Sequence, residues 1–145
     1  MKSFSDHIVI CGWNFQGGKI IEELLVGSDC DIVVIPEGVE QQPRDAEVSN
    51  RRVRVVPGLP TEDSVLHAAG IENARSAIIL TDPSLKANDA DAKTLMIGLA
   101  VETLNPKIYS CAQIMDSANQ VHLERANVDG VILLDVLGAN LAVAS

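Results

Sequence analysis

A chain of 145 residues has room for one domain. Its apolar fraction is 47% with only 3% aromatic residues, so the core must come from Val, Ile, Leu and Ala. That composition suits a parallel sheet covered by helices better than a sandwich. The formal charge of −9 argues against a nucleic-acid partner, since no basic stripe is available to neutralise phosphates.

Short β-rich runs alternate with helical patterns along the chain. "HIVIC" is a first strand, and "GGKIIEELLVG" is a helix with Ile20, Ile21, Leu24 and Leu25 at helical spacing. "DIVVI" (31–35) is a second strand and "VRVVP" (53–57) a third. Between them, Pro43 in residues 38–50 predicts a short or interrupted helix. "TEDSVLHAAG" is a short helix with Thr61 as N-cap and Gly70 as stop. "SAIIL" (76–80) is a fourth strand, followed by the longest helix, "KANDADAKTLMIGLAVETL". "KIYSCA" is a fifth strand, "SANQVHLERAN" a helix and "GVILL" a sixth strand. The final "DVLGANLAVAS" starts an apolar helix with nothing after it to cover Leu137, Leu141, Ala142 and Val143. Such a helix packs on another subunit or belongs to a longer sequence. The pattern predicts an α/β fold: a doubly wound, mainly parallel, six-stranded Rossmann-like sheet.

Cys11, Cys30 and Cys111 show no C-x-x-C and no adjacent His ligand, which argues against disulfides and a zinc site. Cys11 reads as a small core residue. His7, His67 and His122 share no metal-ligand spacing and read as structural. No stretch approaches the length of a membrane span, and "MKSFSDH" lacks the pattern of a signal peptide, so the expectation is a soluble cytosolic chain.

The turn after the first strand carries most of the functional information. In "CGWNFQGG", Gly12 and Gly17 stand at the first and third glycines of G-x-G-x-x-G. Those glycines permit the tight turn and the close packing of helix on strand, while the second lets a pyrophosphate approach. Asn14 holds that second position, where a side chain is expected to tighten the approach. Asn also tolerates left-handed backbone, and the helix start still presents free amides to an anion. Two readings follow: a nucleotide cleft, or a scaffold whose turn needs glycines for geometry alone. Trp13, Phe15 and Gln16 complete the loop, the two rings stacking on a base or covering the sheet edge. After the second strand, Glu37 is either the ribose-binding acid or a solvated loop residue. Thr81 and Asp82 end the fourth strand at the crevice, and Asp82 is either a cation ligand or, like Asp89 and Asp91, a residue of helix capping and solubility.

Taken in order, "HIVICGWNFQGG", "VVPGLPTEDSVLHAAGIENARSAIILTD", "ADAKTLMIGLAVETLNPKIYSCAQ" and "ANVDGVILLDVLGANLAVA" resemble the N-terminal lobe of RCK domains, regulators of potassium conductance also called TrkA-N or KTN domains. The most specific part is G-x7-L-x2-AGI-x2-A-x3-I, from Gly58 to Ile78. The resemblance implies a cytoplasmic, non-enzymatic regulatory domain spanning 1–145, held at the inner membrane face by a pore-forming part. It implies a homodimer, an octameric gating ring, and a crossover helix that begins at 135–145. It also implies a nucleotide (NAD(H), ATP, ADP or AMP) across Gly12, Trp13, Asn14, Phe15, Gln16, Gly17, Glu37, Gly58, Thr81 and Asp82. Ca2+ is the lesser expectation: where calcium-binding relatives carry glutamates after strand five, this chain has Gln113 and Asp116. It departs from nucleotide-binding members at Asn14, at Pro36–Glu37 in place of an Asp, and at Gly58–Leu59 in place of "GD". A ligand-free assembly domain and the cofactor lobe of an NAD-dependent dehydrogenase are the alternatives. A dehydrogenase needs a second lobe with an acid or base beside the nicotinamide.

Overall fold

In the computed structural model, residues 4–37 and 50–134 are described. They run β1 (Ile8–Cys11), α1 (Gly17–Gly27), β2 (Ile32–Ile35), β3 (Val53–Val55), α2 (Asp63–Ala68), β4 (Ser76–Ile79), α3 (Ala87–Leu104), β5 (Tyr109–Ile114), α4 (Gln120–Arg125) and β6 (Gly130–Leu133). The strands form one sheet in the order β3-β2-β1-β4-β5-β6, every neighbouring pair parallel. This is the doubly wound arrangement expected from the alternation of elements. β1 is central, with Ile10 opposite Val34 on one side and Ile78 on the other. Every residue of β1 and β2 is buried, which explains their unbroken apolar runs.

Side chains alternate across the sheet into two cores. Val9, Cys11, Val33 and Ile35 share one with Leu66, Ile97, Val101 and Leu123, from α2, α3 and α4. Ile10, Ile32, Val34 and Leu80 share the other with Trp13 and Ile21, and Ile20, Leu24 and Leu25 of α1 pack against it. Burying each large aliphatic side chain contributes roughly 1.5–3 kcal/mol. Cys11 is fully buried among them, and desolvation pushes its thiol up to about 12, an inert core group. His7 is also structural: its buried Nε2 lies 2.7 Å from the Ala69 carbonyl oxygen.

Some element boundaries move, each for a local reason. A turn over 59–62, closed by Glu62 N–H donating to Leu59 O (3.0 Å), takes up Thr61 and makes Glu62 the N-cap of α2. Gly70 follows the helix in the left-handed region (φ 72°), as a stop signal does. The helix expected over 117–127 divides because Asp116 caps a tight turn first, accepting from Ala118 N–H at 2.9 Å, and α4 begins only at Gln120. The interrupted helix expected near Pro43 and the terminal helix over 135–145 lie outside the described residues.

Candidate functional site

Open parallel sheets bind ligands in the crevice beyond the carboxyl ends of the strands, where the strand order reverses. Here the chain leaves β1 toward β2 and returns to β4 on its other side, so the crevice lies over the ends of β1 and β4. Gly12 N–H donates to Ile35 O (2.8 Å) and Leu80 N–H to Cys11 O (2.8 Å), which fixes the three strand ends together. Gly12 has a φ of 89°, and a Cβ there would stand 3.0 Å from Leu80 O. Backbone conformation and crowding both require glycine at this position.

Gly17 has a different reason. A Cβ on it would lie 2.6 Å from the Trp13 ring. The third glycine therefore admits an indole against the first turn of α1, and Trp13 is nearly buried in the smaller core. The expectation that Trp13 stacks on a base or covers the sheet edge resolves to packing. Phe15 stays 70% exposed at the loop tip. Gly58, with a φ of 120°, faces Val65, whose methyl would meet a Cβ at 2.6 Å.

Asn14 does not obstruct the crevice from outside. Its side chain is buried, and its backbone is not in the left-handed region. Nδ2 donates to Thr81 O (3.1 Å) and to Gln113 Oε1 (2.8 Å), while Oδ1 accepts from Gln16 N–H (2.9 Å). Gln113 Oε1 also accepts from Thr81 N–H (3.0 Å), and its Nε2 donates to Gln16 Oε1 (2.6 Å). The residue in the second-glycine position thus ties the end of β1 to β4 and β5. Thr81 Oγ1 is buried beside this network without a hydrogen-bond partner among the described residues.

The start of α1 retains anion-binding capacity. Asn14 satisfies the N–H groups of Gln16 and Gly17, the latter through its carbonyl at 3.0 Å. The N–H groups of Gly18 and Lys19 have no partner among the described residues. Free amides at a helix start favour a negative ligand.

Across the crevice mouth, the ammonium of Lys93 in α3 donates to Asp82 Oδ2 (2.6 Å) and to Glu37 Oε2. Glu37 follows β2 with a φ of 71°, unusual for a residue with a side chain. Asp82 also accepts from the N–H and hydroxyl of Ser84, at 2.9 and 2.6 Å. Partial burial acts to raise the Asp82 carboxyl, but the Lys93 and Ser84 hydrogen bonds outweigh it and hold it below the ordinary carboxylate range. Burial likewise acts to lower Lys93, and its two carboxylate partners reverse that and hold it above its ordinary value.

Glu37 and Asp82 are joined across the crevice mouth by Lys93, a residue that the sequence pattern does not single out. Lys93 lies one helical turn beyond Asp89, a spacing indistinguishable from an ordinary surface pair on a helix. Gln113, which by sequence stands only where calcium-binding relatives carry a glutamate, is the hub of the crevice floor. Asp91 departs from the expectation of a solvated residue at a helix start. It is buried rather than solvated, and accepts from Met115 N–H (2.7 Å), Asp116 N–H (3.0 Å) and Asn119 Nδ2 (2.8 Å), clamping α3 to the turn after β5. Among the described residues, no three His, Cys, Asp or Glu side chains cluster as a metal site would require.

The Bacillus subtilis protein YugO is 29% identical over 128 residues, covering 88% of this chain and 38% of its own length. The calcium-gated potassium channel TvoK of Thermoplasma volcanium is 27% identical over 143 residues, covering 97% of this chain and 40% of the channel. The chain thus spans about two-fifths of the length of these relatives. Among solved structures, the TrkA-N domain of the inner membrane protein ybaL from Escherichia coli superposes with a TM-score of 0.74 at 20% identity, covering 91% of this chain and 90% of that one. The GsuK channel bound to NAD gives a TM-score of 0.72 at 21% identity, covering 91% and 22%. GsuK bound to ADP gives 0.68 at 21%, covering 89% and 31%. These likenesses show a shared fold. The TrkA-N domain profile itself matches residues 8–134, from the first residue of β1 to just past β6, and the chain belongs to the TrkA-N domain family.

Proposed function

We propose that this domain is the cytoplasmic ligand-binding regulator of a potassium channel or transporter, with a nucleotide in the crevice between β1 and β4. The observation that carries the reading is the placement of the open Gly18 and Lys19 amides beside the Gly12 turn, with Glu37 at the end of β2. Those are the parts a phosphate and a ribose need, in the order a Rossmann crevice offers them. The channel assignment is supported by the relatives' names, and the nucleotide by the NAD and ADP held in a protein of similar fold. Among the described residues no helix is long and apolar enough to cross a membrane, so the reading places the pore in another segment or chain. Residues 1–145 form the N-terminal lobe, with 135–145 the start of a helix crossing to a partner in a homodimer and, eight subunits together, a ring.

The domain acts by binding, not by catalysis. Its ligand must prefer one ring conformation over another, because equal affinity for both shifts nothing. The lysine bridge from Glu37 to Asp82 offers the point where an occupied crevice would pull on α3.

The test is a thermal-shift and calorimetric titration of the chain with AMP, ADP, ATP, NAD+, NADH, Ca2+ and Mg2+. A ligand at a hundred times its dissociation constant adds about 2.7 kcal/mol and raises the melting point by several degrees. The expected result is a nucleotide shift that weakens in Glu37→Gln, which keeps the side chain's shape, and disappears in Gly12→Asp. Silence from every nucleotide would refute the crevice reading and favour a ligand-free assembly role.

A further inference from the structure

The geometry points to a nucleoside phosphate, rather than a dinucleotide, as the ligand class of this crevice. The inference rests on the nucleotide reading above. A doubly wound sheet consists of two mononucleotide-binding halves, and a dinucleotide lies across both, over the switch point between them. In this chain the halves are β1–β3 and β4–β6. The switch point is occupied by the protein itself. Gln16, the N-cap of α1 in the first half, joins Gln113 of β5 in the second through a hydrogen bond of 2.6 Å. Beneath that bridge, Asn14 reaches Thr81 and Gln113, and Gln113 in turn holds the Thr81 N–H. Asn14 and Gln113 are 4% and 2% exposed, so these amides fill the gap instead of bordering it.

Entry of a second nucleoside would break the bridge and press on a buried network. An unmade hydrogen bond on a buried amide costs more than the formed bond contributes. Among the described residues, the first half carries no equivalent plug of amides. Its α1 amides at Gly18 and Lys19 are open to a phosphate. Lys93 engages Oε2 of Glu37 and leaves Oε1 without a partner among the described residues, free to accept a ribose hydroxyl. A nucleoside mono- or diphosphate fits this half alone, with its phosphate at the helix start and its sugar at the end of β2.

The experiment compares ADP and NAD+ by calorimetry in the wild-type chain and in Gln16→Ala. This substitution removes the bridge while leaving the Asn14–Gln113–Thr81 bonds in place, and unliganded melting points check that the variant is folded. Gln113→Leu is avoided because it would strand the buried Asn14 and Thr81 groups. We expect wild type to bind ADP at least tenfold more tightly than NAD+, and Gln16→Ala to narrow that ratio about fivefold, the worth of one neutral hydrogen bond. Equal affinity for ADP and NAD+ would overturn the inference while leaving the nucleotide crevice intact. A preference for ADP that Gln16→Ala leaves untouched would also overturn it, because discrimination would then lie elsewhere. If neither compound binds, the crevice reading fails and this inference fails with it.

Discussion

Lys93 and Glu37 are 56 residues apart and belong to opposite halves of the sheet, yet they form an ion pair over the end of β1. Asp82 is the third member, and each of the three side chains is only about one-fifth exposed. An ammonium between two carboxylates balances their repulsion, and at this burial the pairing is screened less than on an open surface.

Removing the cation should therefore leave two facing carboxylates uncompensated. Lys93→Met is expected to destabilise the domain by about 1–2 kcal/mol, between the values for exposed and for fully buried pairs. In a domain of this size that lowers the melting point by roughly 3–8 °C. Glu37→Gln in the Lys93→Met background should cost less than it does alone, because the double variant also removes a charge conflict. A double-mutant cycle by chemical denaturation measures the coupling, and strictly additive losses would show that the bridge contributes nothing.

The same bridge has a defined pH window. Asp82 is depressed in the folded state, so its contribution is present above the ordinary carboxylate pKa of 3.8 and disappears as pH falls through the lower folded value. Lys93 is raised, so its contribution is complete below its ordinary 10.5 and disappears as pH rises through the higher folded value. The stability gap between wild type and Lys93→Met should accordingly stay level between about pH 5 and 9 and narrow as pH leaves that window on either side. Urea denaturation across pH 2.5–11 measures it. A gap as wide at pH 2.5 as at pH 7 would mean that the lysine acts through packing of its stem.

What could be read from the residues was the sheet and the turn. Continuous runs such as Ile8–Cys11 and Ile32–Ile35 carry their burial on both faces in their composition, and the alternation with helices leaves few topologies. Gly12 was legible because its backbone conformation excludes other residues. Asn14 stands out in the motif but its role does not, since the partners it reaches lie 67 and 99 residues away and their approach depends on the assembled sheet. Lys93 and Asp91 were obscured in the same way. On a helix, a charged residue that turns inward has the same local spacing as one that faces water, and only the tertiary fold separates Asp91, with its three donors, from Asp89.

Gly17 gives a prediction with its own optical reporter, because Trp13 is the chain's one tryptophan and nearly buried. The ring lies where a Cβ on Gly17 would be, the nearest ring carbon at 2.6 Å, so Gly17→Ala forces the indole off the first turn of α1. Overpacking of this kind costs about 1–3 kcal/mol, and the displaced ring should emit at longer wavelength as it meets water. Gly27→Ala is the control: nothing stands within 4 Å of its Cβ, and it lies in the same helix. That substitution should leave the emission unchanged and raise stability by up to about 0.5–1 kcal/mol, through the lower backbone entropy of alanine. Fluorescence spectra and denaturation midpoints of the two variants decide the matter. If Gly17→Ala kept the wild-type emission and midpoint, the indole would have to pack elsewhere, and the third glycine of the turn would need a different explanation.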